Sequence, residues 1–576
     1  MLTFVVFDPD GVDVRTYPPR HAHLVGPDDI PHQGTVTFEP GLVRAEKSAP
    51  QTAGLAVQMP VGVAGAAGEV GTAYFGPHGL GLLSVQTCLL PDKPEPYLLT
   101  VELARHRIMF FLNKLEDWGL VDLPAETPAM QQFEEARRQF TEALVAQREP
   151  ANGAGLVNGY NPKADALASR ALALAMNAGE QLTLIQAERQ VRARLSGQSY
   201  TEARAHLARL TPEVPPAGAP VLVPGDQHVT VSGVPHVGCT VSPGACTEPL
   251  QRALVAACDF VTMPLRWIDM EPVEGKYNFG PTDRWIEWVV RQAKVPITGG
   301  PLIDFRPQAV PEWLFIWEND YETLRDLVFE HVQSIVTRYR RTITRWTVAG
   351  GLHVNTNFKI SFEQIMDLTR MCVLLVRKLH PTAKIQVEIA QPWGEYHAAN
   401  RRSIPPYLYA DAVVQAGLNI DALALRMQMG HAEPGLSTRD LMSFSAMLDK
   451  FAALEKPIVI SSLGAPSQPI PAKPYRPRMG SDSEDAYEPG YWRSPWSDAV
   501  QADWLTQVMA IACSKPYVQS VCWQELADPA AGAVAAEMPH GGLLSTSGTP
   551  KAAYHKFAMF RQMLREGKNP VIIRPQ

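Results

Sequence analysis

From His236 to Glu566 the chain repeats one two-part pattern eight times, and that repeat limits the fold more than any other feature. Each unit is a short β-branched or apolar run followed by a longer amphipathic stretch. The runs begin at His236-Val-Gly-Cys-Thr-Val, Phe260-Val-Thr-Met, Val295-Pro-Ile-Thr-Gly-Gly-Pro-Leu-Ile, Ile343-Thr-Arg-Trp-Thr-Val, Lys384-Ile-Gln-Val-Glu-Ile, Asp421-Ala-Leu-Ala-Leu-Arg, Pro457-Ile-Val-Ile-Ser and Val518-Gln-Ser-Val-Cys-Trp. The helices predicted between them include Glu248 to Ala257, Tyr321 to Tyr339 and Phe362 to Leu379. Parallel strands need long crossovers, and eight such units close into a (β/α)8 barrel. An open doubly wound sheet would show a Gly-rich phosphate turn after its first strand, and Cys239-Thr-Val-Ser-Pro-Gly is not one.

The remainder divides by period. Residues 1–101 carry short strand-like runs between turn signals, among them Thr35-Val-Thr-Phe, Gly54-Leu-Ala-Val-Gln-Met, Gly71-Thr-Ala-Tyr-Phe and Leu82-Leu-Ser-Val-Gln-Thr. Tyr97-Leu-Leu-Thr-Val-Glu-Leu ends the set, and the pattern predicts a small β-sandwich of a kind that often binds sugars. Residues 102–211 switch to helical periodicity, at Ala104 to Leu115, Met130 to Val145 and Ala164 to Leu195. Residues 212–228 are a Pro-rich linker, and residues 229–567 form the barrel unit. The fold class is therefore α/β: a C-terminal barrel preceded by a sandwich and a helical segment. The Pro-, Ser- and Trp-rich insertion from Ala465 to Ser497 is read as a functional loop or a packing arm.

A net charge of -7 favours neither nucleic acid nor an anionic membrane as partner, and no apolar run is long enough to span a bilayer. The start, Met1-Leu-Thr-Phe-Val-Val-Phe, reads as a strand entering an Asp8-Pro-Asp-Gly turn rather than as a secretion signal. Seven cysteines with no CxxC pair read as reduced, buried thiols, which makes a cytoplasmic location the expectation. No two histidines show metal-ligand spacing with an acid, so neither a metal nor a cofactor is expected.

Several segments, in order, resemble glycoside hydrolase family 10, the endo-β-1,4-xylanases. They are Trp267-Ile-Asp-Met-Glu-Pro-Val-Glu-Gly-Lys-Tyr-Asn-Phe, Pro311-Glu-Trp-Leu, Trp346-Thr-Val, Ile420-Asp-Ala-Leu-Ala-Leu, Lys456-Pro-Ile-Val-Ile-Ser-Ser-Leu and a closing segment around Trp523, Asp528 and Pro550-Lys-Ala-Ala-Tyr. The resemblance covers about Val237 to Phe557. It implies a β-linked, xylan-like glycan as partner, bound in a cleft at the C-terminal ends of the strands. It also implies a proton-donating Glu at the tip of strand four and a nucleophilic Glu on strand seven. Here those positions are Gly351 and Ser462. Retaining cleavage needs two carboxyls roughly 5–5.5 Å apart, and neither glycine nor an unassisted serine supplies one.

Other strand-end acids are the candidates for any remaining chemistry: Glu395 after strand five, Glu525 after strand eight and Asp304 after strand three. The structural alternative for Glu395 is an ion pair with Arg401 or Arg402. Candidate sugar contacts are Arg266, Trp267, His353, Asn355, Trp393, Gln428, Trp523 and Asp528, with Trp393 and Trp523 as stacking platforms. Three readings remain open at this point. One is a hydrolase whose acids have moved, one a non-catalytic carbohydrate-binding pseudoenzyme, and one a scaffold.

Overall fold

The computed structural model describes residues 1–7, 20–48, 50–62, 78–147, 156, 158–210, 216, 218–223, 229–475, 485–530 and 538–571. The predicted Asp8 turn, the strand expected at residues 71–75 and most of the Pro-rich linker lie outside the described residues.

Along the chain the N-terminal strands are β1 (Leu2–Val5), β2 (Arg20–Val25), β3 (Pro31–His32), β4 (Gly34–Glu39), β5 (Leu42–Lys47), β6 (Gly54–Val61), β7 (Gly81–Gln86) and β8 (Tyr97–Leu98). The run from Tyr97, expected as a full strand, is a strand for two residues only and becomes helix Leu99–Asp117. Leu99, Leu103, Arg107, Phe111 and Leu115 fall on one buried face at helical spacing, and that period overrides the β-branched Thr100 and Val101. Helix Pro128–Ala146 follows, then a 34-residue helix, Pro162–Leu195. The long helix is rich in alanine and has buried positions all round over residues 171–180, as expected of a helix packed on several sides. It lies against the two preceding helices and against helices Leu441–Ala452 and Asp498–Ser514 of the barrel. Near its end the fully buried Arg194 donates to the carbonyls of Gly233, Cys513, Lys515 and Val518. Those contacts knit the helical segment to the barrel.

A short hairpin, β9 (Val221–Val223) and β10 (Val229–Val231), leads into the barrel. Its strands are β11 (His236–Thr240), β12 (Phe260–Met263), β13 (Ile297–Gly299) continued by β14 (Ile303–Asp304), β15 (Arg345–Gly350), β16 (Lys384–Ile389), β17 (Ala422–Gln428) and β18 (Ile458–Gly464). Two short insertion strands, β19 (Lys473–Tyr475) and β20 (Asp485–Tyr487), form a hairpin; β21 (Tyr491–Trp492) and the last barrel strand, β22 (Val518–Trp523), follow. All barrel pairings are parallel, and β11 against β22 closes the ring. The expected eight-unit barrel is thus observed. Strand three is the exception in detail, because Gly300-Pro301 interrupts it and both halves pair with β15.

The N-terminal strands form two sheets. One has the order β4-β5-β1-β8, and the other β21-β7-β6-β2-β3. The second sheet takes an edge strand from the barrel's own insertion, with Tyr491 opposite Leu82 and Trp492 opposite Gly81. The described parts of the insertion at residues 465–497 therefore act as a packing arm. Glu180 of the long helix accepts from the Trp492 indole at 2.9 Å and pairs with Arg493. Among the described residues no helix is long and apolar enough to cross a membrane.

Candidate functional site

In the barrel strands alternate residues face outward into the helix-packed core, as do Ile385, Val387 and Ile389 of β16. Their neighbours Gln386 and Glu388 face the barrel axis and line a cavity of about 100 Å3. The inner layers of such barrels are ordinarily branched aliphatics. Here they are polar, so each group needs a partner. Gln386 donates to Thr347 Oγ1 at 2.8 Å. The Cys522 thiol lies 3.4 Å from Thr240 Oγ1 and 3.2 Å from Thr262 Oγ1, and burial pushes its pKa up to about 11. Glu388 is held by Arg426 Nε at 3.1 Å and Nη2 at 3.0 Å, and its other oxygen accepts from Ser461 at 2.6 Å. This is a complete buried ion pair on two adjacent strands.

The tip of strand four is shaped by glycine. Gly351 has φ +63°, a left-handed conformation that disfavours a side chain. A Cβ there would stand 2.9 Å from Asp304 Oδ1 and 3.0 Å from the Arg306 stem. Asp304 is itself clamped: Arg306 donates to it from its backbone N–H at 3.0 Å and from Nε at 2.9 Å, and its Nη2 closes the pair. The space in front of residue 351 is thus occupied by an arginine and its counter-ion. On strand seven Ser462 pairs in register with Arg426, and its buried hydroxyl has no hydrogen-bond partner among the described residues.

Residues 227–558, more than half of the chain, match the sequence profile of glycosyl hydrolase family 10. The chain belongs to glycosyl hydrolase family 10. Solved structures similar to it include native xylanase 10B from Thermotoga maritima, at 15% identity over 58% of this chain and 95% of that one, with a TM-score of 0.42. A family 10 protein from Paenibacillus barcinonensis is 16% identical over 60% of this chain and 97% of that one, with a TM-score of 0.43. The family assignment rests on the sequence match and not on these likenesses.

Within this family 10 barrel the three candidate acids are not brought to one place. Asp304 and Glu525 line the lumen cavity, whereas Glu395 lines a separate groove beside the N-terminal sheet. Glu395 pairs with Arg439, not with Arg401 or Arg402. It also accepts from the Gly435 N–H at 2.7 Å and the Tyr487 hydroxyl at 2.6 Å. Burial alone would raise its pKa, but Arg439, His23 and those hydrogen bonds outweigh burial and hold the carboxyl at about 2. It is therefore ionised across the neutral range and cannot donate a proton there.

The candidate sugar contacts lie as follows. Arg266 is a fifth exposed and donates to Asp269 at 2.6 Å at the start of the loop after strand two. Trp267 is buried, stacks on His331 with centroids 4.1 Å apart and donates to Glu271. Asn355 is buried and donates to the carbonyls of Ile360 and Arg402, both at 2.9 Å. Gln428 donates to Gln524 at 2.8 Å. Asp528 accepts from Lys551 at 2.7 Å and from the Gly542 N–H. Trp523 is fully buried, with its indole N–H on the Gly541 carbonyl. Trp393 is half-buried beneath the Arg439 guanidinium, 4.4 Å from the ring centroid. The two tryptophans expected as platforms thus differ: Trp523 offers no exposed ring face. All seven cysteines are free thiols.

His353 lies under the strand-four tip, fully buried, stacked on Tyr409 at 4.9 Å, with Nε2 donating to the Ala390 carbonyl. Burial lowers its pKa to about 4, and burial lowers that of His106 to the same level, with Arg107 adding to the effect. The unfolded chain takes up these protons near pH 6.5, whereas the folded chain does so only near 4. Stability is therefore fully present above pH 6.5 and falls as pH drops from 6.5 towards 4. Urea midpoints measured across that window should decline, and His353→Gln, which keeps a donor, should flatten the decline.

Glu388 and Arg426 did not figure among the sequence candidates. The signal was available: a charged residue at an alternate position of an otherwise apolar barrel strand has only the lumen to face.

Proposed function

We propose that this family 10 protein binds a β-linked, xylan-like glycan at the mouth of its barrel and does not hydrolyse it. One observation carries the reading. Gly351, which the resemblance sets opposite the family's proton donor, is a left-handed glycine whose side-chain space is filled by Arg306 and Asp304. Three other acids near the strand ends support it. Asp304 is neutralised by Arg306, Glu388 by Arg426 and Asp528 by Lys551. Glycoside cleavage needs a carboxylic acid with a raised pKa opposite a second carboxylate. A salt-bridged acid is the reverse of that donor, while charged pairs and amides remain good partners for sugar hydroxyls.

The test combines affinity electrophoresis in soluble xylan with a reducing-sugar assay. The protein is expected to be retarded by xylan and to release no reducing ends above the blank. Arg266→Ala, at the partly exposed pair after strand two, is expected to weaken retardation about tenfold, the loss of one charge-assisted hydrogen bond. Release of xylo-oligosaccharides would restore the hydrolase, and mobility unchanged by xylan would remove the binding reading.

A further inference from the structure

A second cavity lies outside the barrel. It is a groove of about 1040 Å3 between the N-terminal sheet and the barrel flank, walled by β2, β6, β7, helix Leu99–Asp117 and helix Leu441–Ala452. Ligand sites of roughly 300–1,000 Å3 are common at such junctions. The lumen cavity is about a tenth as large.

Six of the ten charged side chains in its wall are in four strong ion pairs, and the other four, Asp28, Asp29, Glu455 and Lys450, are three carboxylates to one ammonium. Arg107 pairs with Asp440 at 2.6 Å, Lys114 with Asp117 at 2.9 Å, Asp449 with Lys515 at 2.7 Å, and Glu395 with Arg439. An anionic ligand would meet that excess of carboxylates, or would have to break one of these pairs and leave a partly buried charge uncompensated. A neutral ligand with many hydroxyls can instead use their remaining lone pairs and N–H groups. Three half-buried rings, Trp118, Trp393 and Tyr407, stand in the same wall, each with a cation over one face (Lys515 at 5.1 Å, Arg439 at 4.4 Å and Lys450 at 5.5 Å), and the rest of their surface is apolar and suits the C–H faces of a pyranose. The excess of carboxylates and the aromatic rings together favour a neutral hydroxylated ligand over an anionic one.

We infer that this groove is a second binding site, for a neutral oligosaccharide. It shares no lining residue with the lumen cavity and does not depend on what the barrel mouth binds.

The full chain is titrated calorimetrically with xylotriose and, separately, with cellotriose, and the site is located by hydrogen exchange. Binding of at least one trisaccharide is expected, with slowed exchange over residues 99–117 and 441–452. Tyr407→Ala should weaken it about tenfold. Ala453→Trp fills the groove from an exposed position that does not burden folding, and it should abolish the protection over residues 99–117 and 441–452. Arg266→Ala at the mouth should leave this binding unchanged, which separates the two sites. Three results would overturn the inference: no binding of either sugar, protection confined to the loop around residues 266–272, or equal affinity for trigalacturonate, which carries three negative charges.

Discussion

Placing glutamate at positions 351 and 462 together is expected to produce no xylan hydrolysis and a less stable protein. The left-handed backbone at Gly351 costs a side chain roughly 1–2 kcal/mol. Forcing Cβ and a carboxylate against Asp304 and the Arg306 stem adds about 1–3 kcal/mol of overpacking. Gly351→Glu alone should therefore lower the unfolding free energy by about 2–5 kcal/mol. Denaturant melts of the single variant, beside reducing-sugar assays of the double variant, check this. A glutamate at 462 would stand next to Ser461, whose hydroxyl already serves Glu388, and would add a further carboxylate to a cavity already lined by Asp304, Glu388 and Glu525. Xylanase activity in the double variant would show that the scaffold still accommodates the acid pair. It would also show that the filled space at strand four is not what prevents cleavage.

Arg426→Met is expected to cost about 3–5 kcal/mol, because it leaves the Glu388 carboxylate buried without its cation. Both groups are almost wholly inaccessible, so water cannot replace the lost partner without opening the barrel. The companion double variant, Arg426→Met with Glu388→Gln, removes the stranded charge and should recover most of that loss. The urea midpoints of wild type, single and double variants give the answer. A single variant within about 1 kcal/mol of wild type would mean that the lumen is hydrated and the pair solvated.

The barrel was legible in advance because its signal is local. Strand and helix periods differ over a few residues, so helices such as Tyr321–Tyr339 and Phe362–Leu379 could be bounded from their own sequences. The split of strand three was less visible, although Gly299-Gly-Pro301 marked it. Tyr97 to Leu103 misled because its β-branched residues sit on a helical period that only packing rewards. The partners of Glu395 could not be read at all. Arg439 lies 44 residues away and Tyr487 lies 92, and neither spacing carries a sequence signal.

The sequence alone determined the eight-unit barrel and its family resemblance, since each is a matter of residue type and short-range order. Only the tertiary structure decided that Arg306 and Asp304 occupy the space in front of Gly351, that Glu388 is met by Arg426, and that the insertion strand Tyr491–Trp492 joins the N-terminal sheet. Those are contacts between residues distant along the chain, and only burial, charge pairing and steric fit in the folded state select them.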